Sequence, residues 1–167
     1  MVGTSSAGKS QIFHPYRALG YVTNHVPFAL QTKTNTHFIT TCIGDAFQQY
    51  GAAKMNLLFV SPPLQEPITC IDMVKDYVMT ASGCRVIAWK RGKQVRCIGT
   101  HKHNIQLMLL FGGMVITCDD SGEIVMWDDE KSNEELGRVE VGSQEQFNTT
   151  AMMHPATYLN KVLLGSR

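Results

Sequence analysis

Three segments of equal length along this chain of 167 residues can be aligned without gaps. They are residues 38–50 (FITTCIGDAFQQY), 77–89 (YVMTASGCRVIAW) and 115–127 (VITCDDSGEIVMW). In each segment an apolar run rich in threonine and β-branched residues reaches a glycine, and an alternating run then ends on Tyr50, Trp89 or Trp127. A period of about 20 to 50 residues is typical of repeat architectures, in which each unit stacks on its neighbours.

Each repeat is predicted to contain four short strands. The second and third strands are the two halves of each aligned segment. The predicted first strands are residues 26–31, 68–73 and 104–111, and the predicted fourth strands are residues 56–61, 94–98 and 136–141. In the third repeat the pair Gly112-Gly113 suits a tight hairpin between the first two strands. No segment shows a helical period, and four strands per repeat of about 40 residues indicate the blades of a β-propeller.

The predicted fold is therefore all-β: a partial β-propeller of about three and a half four-stranded blades in an incomplete ring, since a closed ring needs about four to eight blades. We expect an N-terminal arm, three blades and the truncated start of a fourth blade at residues 1–24, 25–61, 67–98, 104–141 and 146–167. A single blade has two apolar faces, so Trp89 and Trp127 should be wedged between neighbouring sheets. The chain is interpreted as the first part of a longer propeller.

The charges of this chain nearly cancel in total but not locally. The formal net charge is +1 and the hydrophobic fraction is 44%, which excludes a disordered tail and a protein whose main task is to coat phosphates. Residues 77–118 hold six bases and no acid, whereas residues 119–145 hold ten acids and two bases. The six bases form a candidate docking surface for charged partners: Arg85, Lys90, Arg91, Lys93, Arg96 and Lys102. The alternative is a set of solvated hairpin tips without a ligand.

Residues 3–10 (GTSSAGKS) match the Walker A pattern of nucleotide-binding proteins. A phosphate-binding loop needs a buried strand before it and a helix after it. Only Met1 and Val2 precede this segment, and Pro15 lies shortly after it. We therefore expect a flexible leader of small residues. The alternative, an NTPase that uses Lys9, predicts that ATP binding is lost in Lys9→Ala.

The longest apolar stretch, residues 107–116, is interrupted by Gly112-Gly113 and is far shorter than the roughly 20 residues that cross a bilayer. No membrane partner is predicted, and the first 17 residues lack the apolar core of a secretory signal. The five cysteines include no Cys-x-x-Cys pair, so we expect reduced thiols in an intracellular compartment, with a structural role. They are Cys42, Cys70, Cys84, Cys97 and Cys118.

The histidines raise the question of a metal site. Cys97, His101 and His103 are close enough in sequence to share an ion, but zinc ligands usually show tighter paired spacing. A structural explanation is favoured, and neither a metal nor another cofactor is predicted. No Ser/His/Asp grouping typical of nucleophilic catalysis is found either, so no catalytic residue and no small-molecule substrate are predicted.

His101 has a structural explanation in WD-repeat blades. In such blades a histidine before the first strand contacts a Ser or Thr on the second strand and a Trp on the third, with an Asp in the intervening turn. His101, Thr117 and Trp127 resemble that set, and Ser121 stands where the turn aspartate is expected, with Asp119 and Asp120 beside it. Trp89 marks the same place in the second repeat, where no Trp-Asp ending follows. The repeats are therefore degenerate.

Several segments resemble the family of WD-repeat subunits of the small-subunit processome that comprises U three protein 21 and WD-repeat protein 36. The segments that carry this resemblance are residues 14–22 (HPYRALGYV), 26–28 (VPF), 38–44 (FITTCIG), 47–50 (FQQY), 109–112 (LLFG), 122–127 (GEIVMW) and 154–161 (HPATYLNK). The last segment is the most specific. The resemblance covers nearly the whole chain and only the N-terminal portion of the family's proteins.

The resemblance implies a non-enzymatic scaffold that is located in the nucleus, specifically in the nucleolus. Its expected partners are the other WD-repeat subunits of the UTP-B complex, together with the U3 snoRNA and the pre-rRNA within the assembly. Its expected role is small-subunit rRNA processing in ribosome biogenesis. The alternative is a generic WD-repeat adaptor in another intracellular pathway, favoured if residues 154–161 are ordinary blade sequence.

Overall fold

The computed structural model describes residues 25–141 and 148–166, which form fourteen β-strands. Blade 1 consists of β1 (Ala29–Lys33), β2 (Thr36–Ile43), β3 (Ala46–Gly51) and β4 (Asn56–Val60). Blade 2 consists of β5 (Ile68–Val74), β6 (Tyr77–Ser82), β7 (Arg85–Lys90) and β8 (Lys93–Thr100). Blade 3 consists of β9 (Ile105–Phe111), β10 (Met114–Asp119), β11 (Glu123–Asp128) and β12 (Glu135–Glu140). A two-stranded sheet of β13 (Thr149–Met153) and β14 (Leu163–Ser166) begins blade 4.

Every blade is an antiparallel meander in which each strand pairs with the next one along the chain. Several of the turns between strands use glycines in the left-handed region. Gly112 and Gly113, with φ of 60° and 83°, join β9 to β10 as the hairpin prediction required. The first strands of consecutive blades lie beside one another: β1 beside β5, β5 beside β9 and β9 beside β13. This is the side-by-side stacking of a propeller, and the predicted all-β, partial propeller fold is confirmed.

The predicted strand bounds differ from the observed bounds by up to three residues. β1 begins at Ala29 and not at Val26, because Pro27 has no N–H to donate to the ladder. β8 extends to Thr100, because Thr100 pairs with Arg85 at the far end of β7. The region of each predicted strand was right in blades 1 to 3.

The alignment without gaps is one residue out of step in the third repeat. Thr80 pairs with Ile87, and Thr117 pairs with Val125. In each pair the threonine lies across from the residue two positions before the tryptophan, so Thr117 is the structural counterpart of Thr80. The alignment without gaps had instead matched Thr117 with Met79. The cause is a longer turn between β10 and β11 than between β6 and β7.

Three apolar clusters fill the spaces between consecutive blades. Between blades 1 and 2, the rings of Phe47 and Trp89 meet edge to face with centroids 5.5 Å apart. Between blades 2 and 3, Trp127 packs with Ile98 and Val86. A third cluster joins blade 3 to the start of blade 4. Trp89 and Trp127 are 3% and 4% exposed, so burial of each ring stabilises the stack by about 2–3 kcal/mol.

Each tryptophan is covered by its own blade on one side and by a neighbouring blade on the other. Neither ring would be buried in a single isolated blade. Both therefore lie between sheets, as the sequence predicts. Among residues 25–141 and 148–166, no helix is long and apolar enough to span a bilayer.

Candidate functional site

A chain of buried hydrogen bonds ties blade 3 to the linker that precedes it. Trp127 Nε1 donates to Thr117 Oγ1 at 2.9 Å, and His101 Nε2 lies 2.7 Å from the same oxygen. His101 Nδ1 lies 3.1 Å from Asp119 Oδ2. Because a carboxylate only accepts, Nδ1 carries the proton of the hydrogen bond to Asp119. The three predicted residues His101, Thr117 and Trp127 are thus brought together.

Asp119, and not Ser121, faces the histidine. The Asp119 Oδ1 atom accepts from Ser121 N at 3.0 Å, Ser121 Oγ at 2.6 Å and Glu123 N at 3.0 Å. Burial raises the pKa of Asp119, but these hydrogen bonds and the contact with His101 outweigh burial and hold the pKa below its usual value. The aspartate that contacts His101 is thus Asp119, two residues before Ser121, the position where the family pattern would place it.

Sequence reasoning missed an ion pair beside this aspartate. Glu123 Oε2 lies 3.5 Å from His101 Nδ1, and Glu123 Oε1 accepts from Arg138 at 2.5 Å. Hydrogen bonds from Arg138 to Glu135 and Glu123 raise the pKa of the guanidinium. The strict alternation Glu123, Val125, Trp127 along β11 was the signal that places Glu123 on the face of the tryptophan. We call this set the blade 3 cluster; its members, in chain order, are His101, Thr117, Asp119, Glu123, Trp127 and Arg138.

The blade 3 cluster joins separate elements, and its histidine and aspartate are closed to solvent, whereas Arg138 is exposed. The side chains of His101 and Asp119 are fully buried. The Thr117 hydroxyl forms hydrogen bonds with the ring nitrogens of His101 and Trp127, so it is not available as a nucleophile. What this arrangement does chemically is fix the linker to the blade.

The structure does not bring together the trio considered for a metal. Cys97 Sγ contacts Gly99 O at 3.6 Å, the His101 ring is held within the blade 3 cluster, and exposed His103 lies 3.8 Å from Asp120. A different trio, His101, Asp119 and Glu123, offers ligand atoms within 4.8 Å of one another. In that trio Nδ1 of His101 already donates to Asp119, which leaves it no lone pair for an ion.

The other blades keep only part of the hydrogen-bond chain. In blade 2, Trp89 Nε1 donates to Thr80 Oγ1 at 2.8 Å, without a histidine. In blade 1, Gln49 Nε2 donates to Thr40 Oγ1 at 3.1 Å, and the Tyr50 hydroxyl donates to Gln48 instead of reaching a threonine.

Two of the six predicted docking bases have structural partners. Lys90 and Arg96 both lie over the ring of Tyr77, at 5.3 and 4.7 Å from its centroid. Arg96 also donates to the backbone oxygen of Asp129 at 2.6 Å, across the interface with blade 3. The remaining four have exposed side chains and form no salt bridge with any residue of the described ranges: Arg85, Arg91, Lys93 and Lys102.

The acidic stretch is partly neutralised by blade 2. Lys75 Nζ lies 3.4 Å from Asp129 and 2.5 Å from Glu130. The hydrogen bond between Lys75 and Glu130 raises the pKa of the lysine and lowers that of the glutamate. A lysine of blade 2 that lies outside the basic stretch therefore helps to hold blades 2 and 3 together. The N-terminal arm, with the Walker-like segment 3–10, lies outside the described residues.

Comparison with known proteins supports a family assignment. Residues 39–167 match the family model described as the WDR36/Utp21 first beta-propeller. The chain is 38% identical over 164 residues to the U3 small nucleolar RNA-associated protein 21 homolog of Schizosaccharomyces pombe, and 32% identical over 160 residues to WD repeat-containing protein 36 of Homo sapiens. Each alignment covers 94% of this chain and 18% of the relative. The chain therefore spans less than a fifth of the length of these relatives.

A solved structure resembles this fold. The computationally designed Ika4 protein superposes with a TM-score of 0.67 over 88% of this chain and 89% of its own, at 18% identity. At that identity the likeness concerns the fold alone. The family model matches residues 39–167, and relatives align with nearly the whole chain. Together with the stacked blades, this shows that the chain belongs to the WDR36/Utp21 family and forms part of the family's first β-propeller.

Proposed function

We propose that this chain acts in ribosome biogenesis, as part of a non-enzymatic scaffold subunit of the small-subunit processome in the nucleolus of the nucleus. The observation that carries the proposal is the similarity to relatives named as U3 small nucleolar RNA-associated protein 21. The described blades support a scaffold role, because His101 and Asp119 of the blade 3 cluster are buried and hold elements together by hydrogen bonds. Its partners are the other WD-repeat subunits of the UTP-B complex, with U3 snoRNA and pre-rRNA in the same assembly.

Contacts with other proteins would use the blade surfaces, and contacts with RNA would be local and electrostatic. Arg91, Lys93 and Lys102 are exposed bases without a salt-bridge partner in the described ranges. Such bases can neutralise phosphates, and each neutralised phosphate steepens the salt dependence of binding by about 0.7–0.9 in logarithmic slope.

The test is affinity purification of the tagged full-length protein from nuclear extract. We expect co-purification of WD-repeat subunits and U3 snoRNA. Recovery of neither rejects the proposal, and recovery of other partners without U3 snoRNA favours a generic adaptor.

A matched variant separates protein contacts from RNA contacts. The charge-reversed variant Arg91→Glu/Lys93→Glu/Lys102→Glu should retain the protein partners, because none of these side chains supports the core. If these bases contact RNA, the variant recovers less U3 snoRNA and shows a shallower salt dependence. Unchanged RNA recovery places the RNA contact elsewhere in the assembly.

A further inference from the structure

The linker between blades 1 and 2 follows the same path as the linker between blades 2 and 3. Leu64 N donates to Asp45 O at 2.8 Å, and His101 N donates to Cys84 O at 2.8 Å. In both linkers the next strand, β5 or β9, begins four residues later. Leu64 therefore occupies the place in blade 2 that His101 occupies in blade 3.

The strand register gives the remaining counterparts of the blade 3 cluster. Thr80 and Thr117 hold the same register position, and so do Ile87 and Val125. Cys97 pairs with Ile87 as Arg138 pairs with Val125. The blade 2 counterparts of the blade 3 cluster are therefore, with the blade 3 residue in parentheses, Leu64 (His101), Thr80 (Thr117), Ser82 (Asp119), Arg85 (Glu123), Trp89 (Trp127) and Cys97 (Arg138).

These replacements open a groove of about 610 Å³ in blade 2. The hydrogen bond between Trp89 and Thr80 remains, but Cys97 is much shorter than the arginine at its counterpart position, and Leu64 has no ring nitrogen to bridge the blade. Ser82 Oγ donates to the backbone oxygen of Glu66 at 2.7 Å and so holds the linker as one wall. The volume lies within the range of ligand-binding clefts, about 300–1,000 Å³.

The groove has an apolar floor and a charged rim. Leu64, Ile87 and Trp89 line the floor, while Arg85 lines the rim beside Thr100, its pairing partner on β8. Arg85 is exposed and forms no salt bridge within the described part of the chain.

An acidic residue also lines the groove, but it is placed against the turn. The carboxylate of Glu66 lies over Gly83, so close that an added Cβ there would be 2.2 Å from Oε2. Glu66 forms no salt bridge among the described residues either, so the rim carries one unpaired cation, Arg85, and one unpaired carboxylate, which lies over Gly83. An apolar floor with one unpaired cation differs from a phosphate-backbone site, which depends on several bases.

We propose that this groove binds an extended peptide of a partner protein that carries an acidic residue next to an apolar one. The carboxylate pairs with Arg85, and the apolar side chain enters the floor between Leu64 and Trp89. The groove runs beside β8, the outermost strand of blade 2, where an extended chain presents alternate side chains inward. This inference is independent of the proposed role in ribosome biogenesis, because it rests on blade 2 alone.

The test measures fluorescence anisotropy of labelled probes with the full chain. The probes are a twelve-residue peptide of alternating Glu and Leu, the same peptide with Gln for Glu, and a twelve-nucleotide single-stranded RNA. We expect the acidic peptide to bind about tenfold more tightly than the neutral peptide, and Arg85→Glu to remove that advantage. Lys93→Glu is the matched control, because it makes the same charge change outside the groove and should alter affinity less than about twofold.

A second variant separates fit from simple attraction. Cys97→Arg adds a positive charge but fills the groove, so the proposal predicts weaker peptide binding. Tighter binding by Cys97→Arg overturns the proposal, as do equal losses in Arg85→Glu and Lys93→Glu, since both indicate a diffuse charged surface. Absence of peptide binding, or RNA binding that the peptide cannot displace, also overturns it.

Discussion

Gly99 lies against the indole of Trp127 with no space for a side chain between them. A Cβ on Gly99 would lie 2.4 Å from Trp127 Cδ2 and Cε2. Gly99 belongs to the last strand of blade 2, and Trp127 belongs to the third strand of blade 3. The contact therefore measures directly how closely two blades stack.

The first prediction concerns Gly99→Ala. The added methyl group meets a buried, rigid ring, so the free energy of unfolding should fall by about 2–3 kcal/mol. Urea denaturation measures this change. Gly137→Ala is the matched control, because its Cβ would meet only the flexible end of Met126, and it should cost less than about 1 kcal/mol. Equal effects of the two substitutions contradict the close stacking of blades 2 and 3.

The second prediction compares Thr117→Val with Thr80→Val. Loss of the Thr117 hydroxyl leaves two buried nitrogens without a partner, on His101 and Trp127, whereas loss of the Thr80 hydroxyl leaves only that of Trp89. At about 1–3 kcal/mol for each unsatisfied group, Thr117→Val should be the more destabilising of the two. The difference in urea midpoint checks this order, and the reverse order would show that the hydrogen-bond chain of blade 3 is not formed.

The third prediction concerns acid. Hydrogen bonds to the Asp119 carboxylate outweigh burial and lower its pKa below the usual 3.8, so its ionised form stabilises the fold. This stabilisation is complete above the unfolded-state pKa, at about pH 4, and is lost as the pH falls through the folded-state pKa. Asp119→Asn should cost about 2–3 kcal/mol at pH 7 and weaken the dependence of stability on pH below 4.

The control for that experiment is Asp120→Asn, which changes the neighbouring, exposed carboxylate. Its cost should stay below about 0.5 kcal/mol at pH 7. Thermal unfolding between pH 2 and 7 gives both curves. If the two variants behave alike, the Asp119 carboxylate does not hold His101.

The fourth prediction concerns two cysteines. Burial raises the pKa of the Cys42 thiol to about 12 and that of Cys70 to about 11. Since the thiolate is the reactive form, both residues should resist iodoacetamide at pH 8 in the folded chain and react in urea. Because the neutral thiol is the preferred buried form, their contribution to stability is lost as the pH rises above about 9. Peptide mass spectrometry follows the labelling, and rapid modification of Cys42 without urea contradicts its buried position.

The blades could be predicted from the sequence because their signals are local. Alternation along strands such as β11 and the glycine pair at Gly112-Gly113 encode strand and turn within a few residues. Trp89 and Trp127 recur at a fixed place, which locates the interfaces. The family resemblance was confirmed by the match of residues 39–167 to the family model.

The remaining features depend on contacts between distant segments. The longer turn after Asp119 shifts the third repeat by one residue, and a gap-free alignment cannot show this shift. Local counting of charge could not show that Arg96 packs on Tyr77, because their contact depends on the folded register of blade 2. The groove in blade 2 likewise becomes visible only when Leu64 and His101 are known to occupy equivalent places.

The central claim is that the sheets stack side by side and bury one tryptophan at each of two interfaces. Acrylamide quenching of tryptophan fluorescence tests it in the variants Trp127→Phe and Trp89→Phe, which leave Trp89 or Trp127 as the single emitter. Both indoles are less than 5% exposed, so each should be quenched several-fold less in the folded chain than in urea. Quenching of either tryptophan at the rate of the unfolded chain would contradict the stacked-blade account.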